Sequence, residues 1–89
     1  MSTNVFLALQ ASDDTRSIVE AIEIDNPNAV VTRMPAMVKI DAPGRLVIRR
    51  LSVEERLGRR WDLQEIHLDL ISLTGNIDET DEEFSLQWR

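Results

Sequence analysis

The segment from Leu57 to Ile66 most constrains the fold, because it joins the end of one predicted helix to the start of another. Ser52 to Glu55 matches a capping box and predicts a helix over 52–57. Gly58 follows at once and suits the left-handed residue that commonly ends a helix. The chain must therefore turn a corner after Leu57. The residues of that corner are Arg59, Arg60 and Trp61.

A further helix is predicted over 62–73. Asp62 and Glu65 form a second capping box, and Trp61 stands where it could pack onto Ile66 as a hydrophobic staple. The corner is thus bounded by helix signals on both sides. Trp61 has two open interpretations, a staple that fills the corner and an anchor of a protein interface.

The apolar residues of 62–73 occupy two sides of the predicted helix. Residues 66–70 also alternate as a strand would, but the explicit caps favour the helix. Leu68 and Ile71 lie away from its main apolar stripe. A helix of this kind is either covered by two layers or exposes one side to a partner.

A helix near 13–24 is predicted between two strands. Ser12 or Asp13 can cap its start, and apolar residues recur at helical spacing along it. It ends before Pro27, since the residue preceding a proline disfavours the helical backbone. The flanking strands are predicted at 5–9 and 29–33.

Residues 36–49 are predicted to form a β-hairpin. Residues 36–41 alternate between apolar and polar, and 46–49 return as a second strand. Ala42 to Arg45 matches a type II turn, with proline and glycine at its central positions. Short strands at 76–77 and 84–89 complete the pattern. The sequence therefore predicts a small α+β fold with a mainly antiparallel sheet and about three helices.

The length and charge of the chain limit its possible functions. Its 89 residues suit one domain over 1–89, with two small subdomains at about 1–50 and 51–89 as an open alternative. Between Arg33 and Arg60, eight basic and three acidic residues give +5, whereas two basic and thirteen acidic residues elsewhere give −11, a total of −6. Either the protein has one basic and one acidic side, or its charges mix over a solvated surface.

No catalytic, metal or cofactor site is predicted. The chain has no Cys and a single His, His67, which lacks the converging groups that a base or a metal ligand needs. The acidic run 78–83 does not fit a calcium loop, and no nucleophile-elbow pattern is found. The arginines could suggest nucleic-acid binding, but a pI near 4.6 opposes it. The N-terminus lacks a basic segment before its short apolar run, so a cytoplasmic protein is expected.

Several segments together resemble the effector proteins of bacterial multicomponent diiron monooxygenases, the MmoB/DmpM family. The similarity is strongest to the regulatory component of phenol hydroxylases. It runs in order from about Val5 to Trp88. The segments that carry it are Glu23-Ile24-Asp25-Asn26-Pro27, Gly44-Arg45-Leu46, the stretch from Glu55 to Glu65, and Thr74-Gly75-Asn76-Ile77.

The resemblance implies a protein without catalytic residues, metal or cofactor that docks on the large subunit of an oligomeric diiron hydroxylase. Docking would tune the access of substrate and oxygen and would couple NADH use to phenol hydroxylation, with electrons from an iron-sulfur flavoprotein reductase. Nucleic acid and membranes would not be partners. A generic acidic adaptor and, as a third reading, a nucleic-acid module remain the alternatives. The expected contact residues are Asp25, Asn26, Pro27, Arg59, Arg60 and Trp61.

Overall fold

A computed structural model describes residues 4–88. The α+β class is confirmed. The elements, in chain order, are β1 (Asn4–Gln10), α1 (Asp13–Asp25), β2 (Val30–Arg33), β3 (Met37–Pro43), β4 (Arg45–Arg49), α2 (Arg50–Leu57), a 3-10 turn (Leu63–Glu65), α3 (Ile66–Asp69), β5 (Leu70–Thr74), β6 (Asn76–Glu79) and β7 (Glu83–Gln87).

The strands of residues 4–88 form two antiparallel sheets, in the orders β2-β3-β1-β5 and β4-β7-β6. Both sheets and α1 contribute to one apolar core, which includes Leu7, Ile22, Ile40 and Phe84. Each sheet takes strands from both sides of residue 50. The division into subdomains near that residue stays a prediction. No helix within residues 4–88 has the length and apolar character needed to span a bilayer.

The first helix matches its sequence prediction closely. Ser12 caps α1 by accepting the Thr15 backbone N–H at 3.1 Å. Ile18, Val19 and Ile22 are buried against the core, as their spacing predicts. The signals here are local, because a cap and a stripe lie within one element.

The predicted hairpin over 36–49 is wrong in its pairing. Gly44 has the expected positive φ of 77°, so the chain does turn there. However, β3 pairs with β1 and β2, while β4 pairs with β7, so the two strands enter different sheets. Alternation shows that a strand has a buried face but does not identify its neighbour. Residues 46–48 are buried consecutively, since β4 is enclosed on both faces.

The predicted helix over 62–73 is correct only in its first half. The capping box of Asp62 and Glu65 is confirmed, although the first turn is a 3-10 turn. The helix ends at Asp69, and residues 70–74 become β5, which pairs with β1. Pairing along β1 satisfies the backbone of β5 and buries part of its apolar surface, so tertiary structure overrides the local helix signal. A register irregularity in this pairing leaves Ile71 half exposed.

The predicted capping box at Ser52 is also wrong. The helix α2 begins at Arg50, directly after β4, and no side chain of residues 4–88 caps its N-terminus. The backbone N–H of Arg50 instead donates to the carbonyl of Glu82 at 2.9 Å. Gly58 is confirmed as the left-handed residue that ends α2, with φ of 74°. Of the strand predicted at 84–89, β7 covers 83–87, and Arg89 lies outside the described residues.

Candidate interaction surfaces

The two predicted contact regions lie at opposite ends of α1. Arg59 of the corner pairs with Asp14 in the first turn of the helix, whereas Asp25 to Pro27 form its exit loop. At about 1.5 Å per residue, the helix rises roughly 17 Å from Asp14 to Asp25. The structure therefore keeps the two regions apart, and each is considered as a separate surface.

Arg59 is held by its own protein. Its Nη2 lies 3.1 Å from Asp14 Oδ2 and 3.6 Å from Glu65 Oε1. Its Nη1 donates to the carbonyl of Arg60 at 2.8 Å. These contacts fix the corner against the start of α1. The positive charge of Arg59 is largely neutralised before any partner arrives.

Arg60 is in a different position. Its side chain is exposed, and its guanidinium makes no hydrogen bond or ion pair within residues 4–88. It lines a concavity of about 540 Å³ between the corner and the turn that joins β6 to β7. Arg60 is thus an exposed cation beside a recess, and arginine is enriched in protein interfaces.

Trp61 is part of the core. Its side chain is 3% exposed, and its backbone N–H donates to Glu54 Oε2 at 2.8 Å. It belongs to the same apolar cluster as Leu63 and Ile66. This placement favours the staple interpretation, in which the indole fills the corner. Its role as a contact residue stays a prediction.

Asn26 latches the exit loop of α1 onto β4. Its Nδ2 donates to the carbonyls of Ile22 at 2.8 Å and Val47 at 2.6 Å. Its Oδ1 accepts the Val47 backbone N–H at 2.9 Å. The backbone N–H of Asn26 also bonds to the Ile22 carbonyl, at 2.9 Å. A single side chain thereby satisfies polar groups of both elements and fixes the loop.

Asp25 and Pro27 lie beside this latch. They help to line a hollow of about 230 Å³ whose other wall is the turn at Pro43 to Arg45. Pro27 is exposed. One carboxylate oxygen of Asp25, Oδ2, is shielded from solvent and has no hydrogen-bond partner among the described residues. Two segments of the family resemblance, at 23–27 and 44–46, therefore meet at one place.

Exposed apolar side chains form further surfaces that the six predicted residues do not include. Leu68 on α3 is 78% exposed, and Ile71 on β5 is 50% exposed. Their position off the main apolar stripe was the sequence signal for them. Ile24 and Arg56 line a groove of about 370 Å³ between α1 and α2. Ile24 could have been identified in the same way, since it falls outside the stripe of α1.

The ionisable groups of residues 4–88 were compared with the requirements of a metal site. Within residues 4–88, no group of three or more His, Asp or Glu side chains could hold a metal ion. His67 lies 3.1 Å from Glu79 and meets the Phe84 ring edge-on. Burial, followed by the charges of Asp14 and Glu65, raises the pKa of Asp69 above its usual 3.8. His67 thus has an acidic neighbour and an aromatic one.

Known proteins resemble this chain over nearly its full length. The model of the MmoB/DmpM family matches residues 3–87. The phenol 2-monooxygenase stimulatory component DmpM of Pseudomonas sp. (strain CF600) is 53% identical over 89 residues, which cover 100% of this chain and 99% of that protein. A chain in the structure of a phenol hydroxylase–regulatory protein complex is 48% identical with a TM-score of 0.91, over 97% of this chain and 99% of that one. Regulatory protein B of soluble methane monooxygenase, 23% identical with a TM-score of 0.78, shares the fold over 100% of this chain and 67% of its own.

Proposed function

The chain belongs to the MmoB/DmpM family, and on that premise we propose that it is the regulatory component of a multicomponent phenol hydroxylase. The observation that carries the proposal is its likeness, along nearly the full length of both chains, to a stimulatory component of phenol 2-monooxygenase. A similar chain occurs in a complex between phenol hydroxylase and its regulatory protein. The protein is accordingly an auxiliary component and not the catalyst.

The proposed mechanism is a shift between two states of the hydroxylase. The protein docks on the large subunit above the diiron centre of that partner, and it binds one hydroxylase state more tightly than the other. A difference of about 1 to 3 kcal/mol in these affinities changes the balance between the states roughly 5- to 150-fold. The favoured state admits substrate and oxygen in a way that couples NADH oxidation to hydroxylation.

We assign the six predicted residues to the docking surfaces in two roles. Asp25 and Pro27 at the exit loop and Arg60 at the corner face solvent in part and are available for direct contact. Asn26, Arg59 and Trp61 hold those surfaces in place through the bonds and packing described above. Each surface thus pairs an exposed residue with a fixed support.

The electrons come, in this proposal, from an NADH-dependent iron-sulfur flavoprotein reductase. We place the protein in the cytoplasm together with that NADH-dependent reductase. The absence of Cys from the sequence is compatible with such a reducing environment.

The test adds the purified protein to the cognate hydroxylase and reductase with phenol and NADH. The rate of catechol formation should rise with added protein, and a complex with the hydroxylase should be detected by sedimentation. The test variant is the Arg59→Ala, Arg60→Ala double substitution, which should keep the wild-type circular dichroism spectrum but bind more weakly. If the wild-type protein neither binds nor changes the rate, the regulatory function is refuted. Salt-sensitive binding to DNA or RNA would then point to a nucleic-acid module.

A further inference from the structure

We infer that the exposed side chains of Ile77 and Trp88 form one apolar patch that packs against apolar side chains on the surface of the hydroxylase. The inference rests on the proposed function, because that function supplies the partner. It goes further by assigning a contact surface outside the six predicted residues and by stating the chemistry of the group that fits it.

The first observation is the exposure of the two side chains. Trp88 is 53% exposed, and Ile77 is 44% exposed. By contrast, Phe84 and Leu86, which precede Trp88 at alternate positions of β7, are fully buried. The apolar face of β7 therefore continues past the core and into solvent at Trp88.

The second observation places the two side chains together. Ile77 pairs directly with Leu86 across the strands, and Trp88 is two positions beyond Leu86 along the chain. Residues that pair directly, or that lie two apart on a strand, point to the same face of a sheet. Trp88 is therefore a diagonal neighbour of Ile77. Such neighbours lie about 7 to 8 Å apart, within reach of an aromatic side chain.

The third observation explains why the indole is uncovered. The pairing of β7 with β4 and β6, continued by one residue, places Gly44 on one side of Trp88 and Gly75 on the other. Both glycines have a positive φ, of 77° and 112°, which other residues rarely adopt. A Cβ at Gly75 would also lie only 2.8 Å from Val5 Cγ1. Neither neighbour therefore supplies a side chain that could cover the ring.

The fourth observation is that the indole is oriented before binding. Its Nε1 donates a hydrogen bond to the carbonyl of Asn4 at 3.0 Å. This bond ties the residue after β7 to β1 and uses the only hydrogen-bond donor of the ring. The exposed remainder of the ring is apolar surface. A ring that is already held loses little conformational freedom when it binds.

The chemistry of the patch favours an apolar occupant over a charged one. Arg45 and Glu83 pair with each other at 3.0 Å, and Arg45 lies opposite Gln87, on the other face of the sheet from Trp88. A cation stacked on the indole would lose water beside Ile77, which offers no compensating charge. Apolar side chains have no such cost, and their burial is favourable in proportion to the area removed from water.

The size of the patch favours the hydroxylase over a second copy of the chain. A tryptophan buries about 250 Å² at most, whereas a stable interface takes about 800 Å² from each partner. The patch must therefore belong to a larger interface. Gly44, beside Trp88, lies between Pro43 and Arg45, which line the hollow at the exit loop of α1. The patch thus extends a surface already assigned to hydroxylase contact.

The first measurement is the dissociation constant of the full-length protein and the cognate hydroxylase. Trp88→Ala should weaken binding by about 30-fold, the level that marks a hot-spot residue. Ile77→Ala should weaken it by about three- to ten-fold, because less apolar area is lost. Trp88→Leu, which keeps apolar surface but lacks the indole N–H, should fall between the wild type and Trp88→Ala.

The matched control is Met34→Ala. Met34 is also an apolar residue at the surface, 41% exposed, but it lies in the turn between β2 and β3, at the opposite end of β3 from Pro43. This variant should bind within about two-fold of the wild type, as expected for a residue outside the contact.

A second measurement separates contact from a structural role of Trp88. The full-length protein is labelled with 5-fluorotryptophan and saturated with unlabelled hydroxylase. In the free protein, the fluorine resonance of Trp88 should shift between H2O and D2O, and in the complex this solvent shift should disappear. Trp61, the other tryptophan, is 3% exposed and serves as the internal control, with no solvent shift in either state. A purely structural role of Trp88 would leave its solvent shift unchanged on binding.

Several results would overturn the inference. A Trp88 resonance that keeps its solvent shift in the saturated complex would do so, as would a Trp88→Ala variant that binds like Met34→Ala. A loss of affinity in Trp88→Ala that shrinks as salt is added would replace the apolar occupant with a cation. A Trp88 resonance that moves with the concentration of the free protein would replace the hydroxylase with a second copy.

These outcomes are distinct from failure of the proposed function. If the wild-type protein binds the hydroxylase while Trp88 stays in contact with water, only the inference about the patch is refuted. If the wild-type protein does not bind the hydroxylase, the proposed function itself is refuted.

Discussion

The two ends of α1 both carry charged and polar side chains, but the contacts of those side chains differ. At the first turn of α1, Asp14 and Glu65 both lie close to Arg59. Nearby, the capping box of Asp62 and Glu65 satisfies backbone N–H groups at the start of the 3-10 turn. At the last turn, the Asn26 side chain bonds to Val47, and Asp25 Oδ2 is buried without a hydrogen-bond partner among residues 4–88. Charge alone therefore does not mark an interaction surface. A group is available to a partner when it is exposed and the described residues leave it unpaired, as with Arg60.

The largest expected effect is a loss of stability when the Trp61 side chain is removed from the core. Trp61→Ala should lower the free energy of unfolding by about 3 to 5 kcal/mol, because it removes a buried aromatic side chain from the core. Chemical denaturation measures this loss, and Trp61→Phe should lose less, since most of the volume is kept. A loss below about 1 kcal/mol in Trp61→Ala would mean that the indole is not part of the core and would move Trp61 to the contact residues.

The second prediction concerns the Asn26 side chain, which joins the exit loop of α1 to β4. Asn26→Ala should cost about 2 to 3 kcal/mol of unfolding free energy, because the N–H and the carbonyl of Val47 both lose their partner. The Ile22 carbonyl keeps its bond from the backbone N–H of residue 26. The control is Asn28→Ala, an exposed residue of the same loop, which should change stability by less than about 0.5 kcal/mol. Equal stability of the two variants would show that the latch contributes nothing.

The third prediction separates the two arginines of the corner. Arg60→Ala should weaken binding to the hydroxylase by about 1 to 2 kcal/mol with no effect on folding, since its side chain is exposed and makes no hydrogen bond or ion pair within residues 4–88. Arg59→Ala should instead cost up to about 1 kcal/mol of stability, because it removes exposed ion pairs. Titration calorimetry and thermal unfolding measure the two effects. A larger loss of affinity in Arg59→Ala would reverse the assignment.

The smallest expected effect concerns how the free energy of unfolding depends on pH through Asp69 at the end of α3. Burial and the like charges of Asp14 and Glu65 raise the pKa of Asp69 in the folded protein. The folded state therefore holds this proton more tightly than the unfolded state. As the pH falls from above the raised pKa of folded Asp69 towards the ordinary pKa of 3.8, protonation of Asp69 should relieve an unfavourable charge and favour folding.

The matched variant for that effect is Asp69→Asn, which is neutral at every pH. The difference in unfolding free energy between it and the wild type should shrink as the pH is lowered through the window, because the wild-type carboxyl becomes neutral too. A difference that stays constant, or grows at low pH, would contradict the direction of the pKa shift.

Most local signals in the sequence predicted the elements correctly, apart from the capping box at Ser52, whereas pairings between distant residues could not be predicted from it. Ser12, Gly58 and the capping box of Asp62 act within one helix turn, and all three are confirmed. The pairing of β4 with β7 and of β5 with β1 depends on residues 30 or more positions apart, which periodicity does not encode. These are the places where the predicted hairpin and the second half of the predicted helix are wrong.

The same limit applies to the candidate site. The motifs located both ends of α1, yet the sequence did not distinguish Arg59 from its neighbour Arg60. The distinction depends on Asp14, which lies 45 positions away along the chain. Likewise, the amide of Asn26 is an internal latch only because β4 passes beside it. Whether a polar side chain is free or engaged is a tertiary property.

The most direct test of the regulatory role is the ratio of catechol formed to NADH consumed, measured as the protein is titrated into fixed amounts of the cognate hydroxylase and reductase. The ratio should rise with added protein and level off once the hydroxylase is saturated. Arg60→Ala should need more protein to reach the same plateau, since it weakens docking and leaves the fold intact. A ratio that does not change at any amount of wild-type protein would contradict the proposed function.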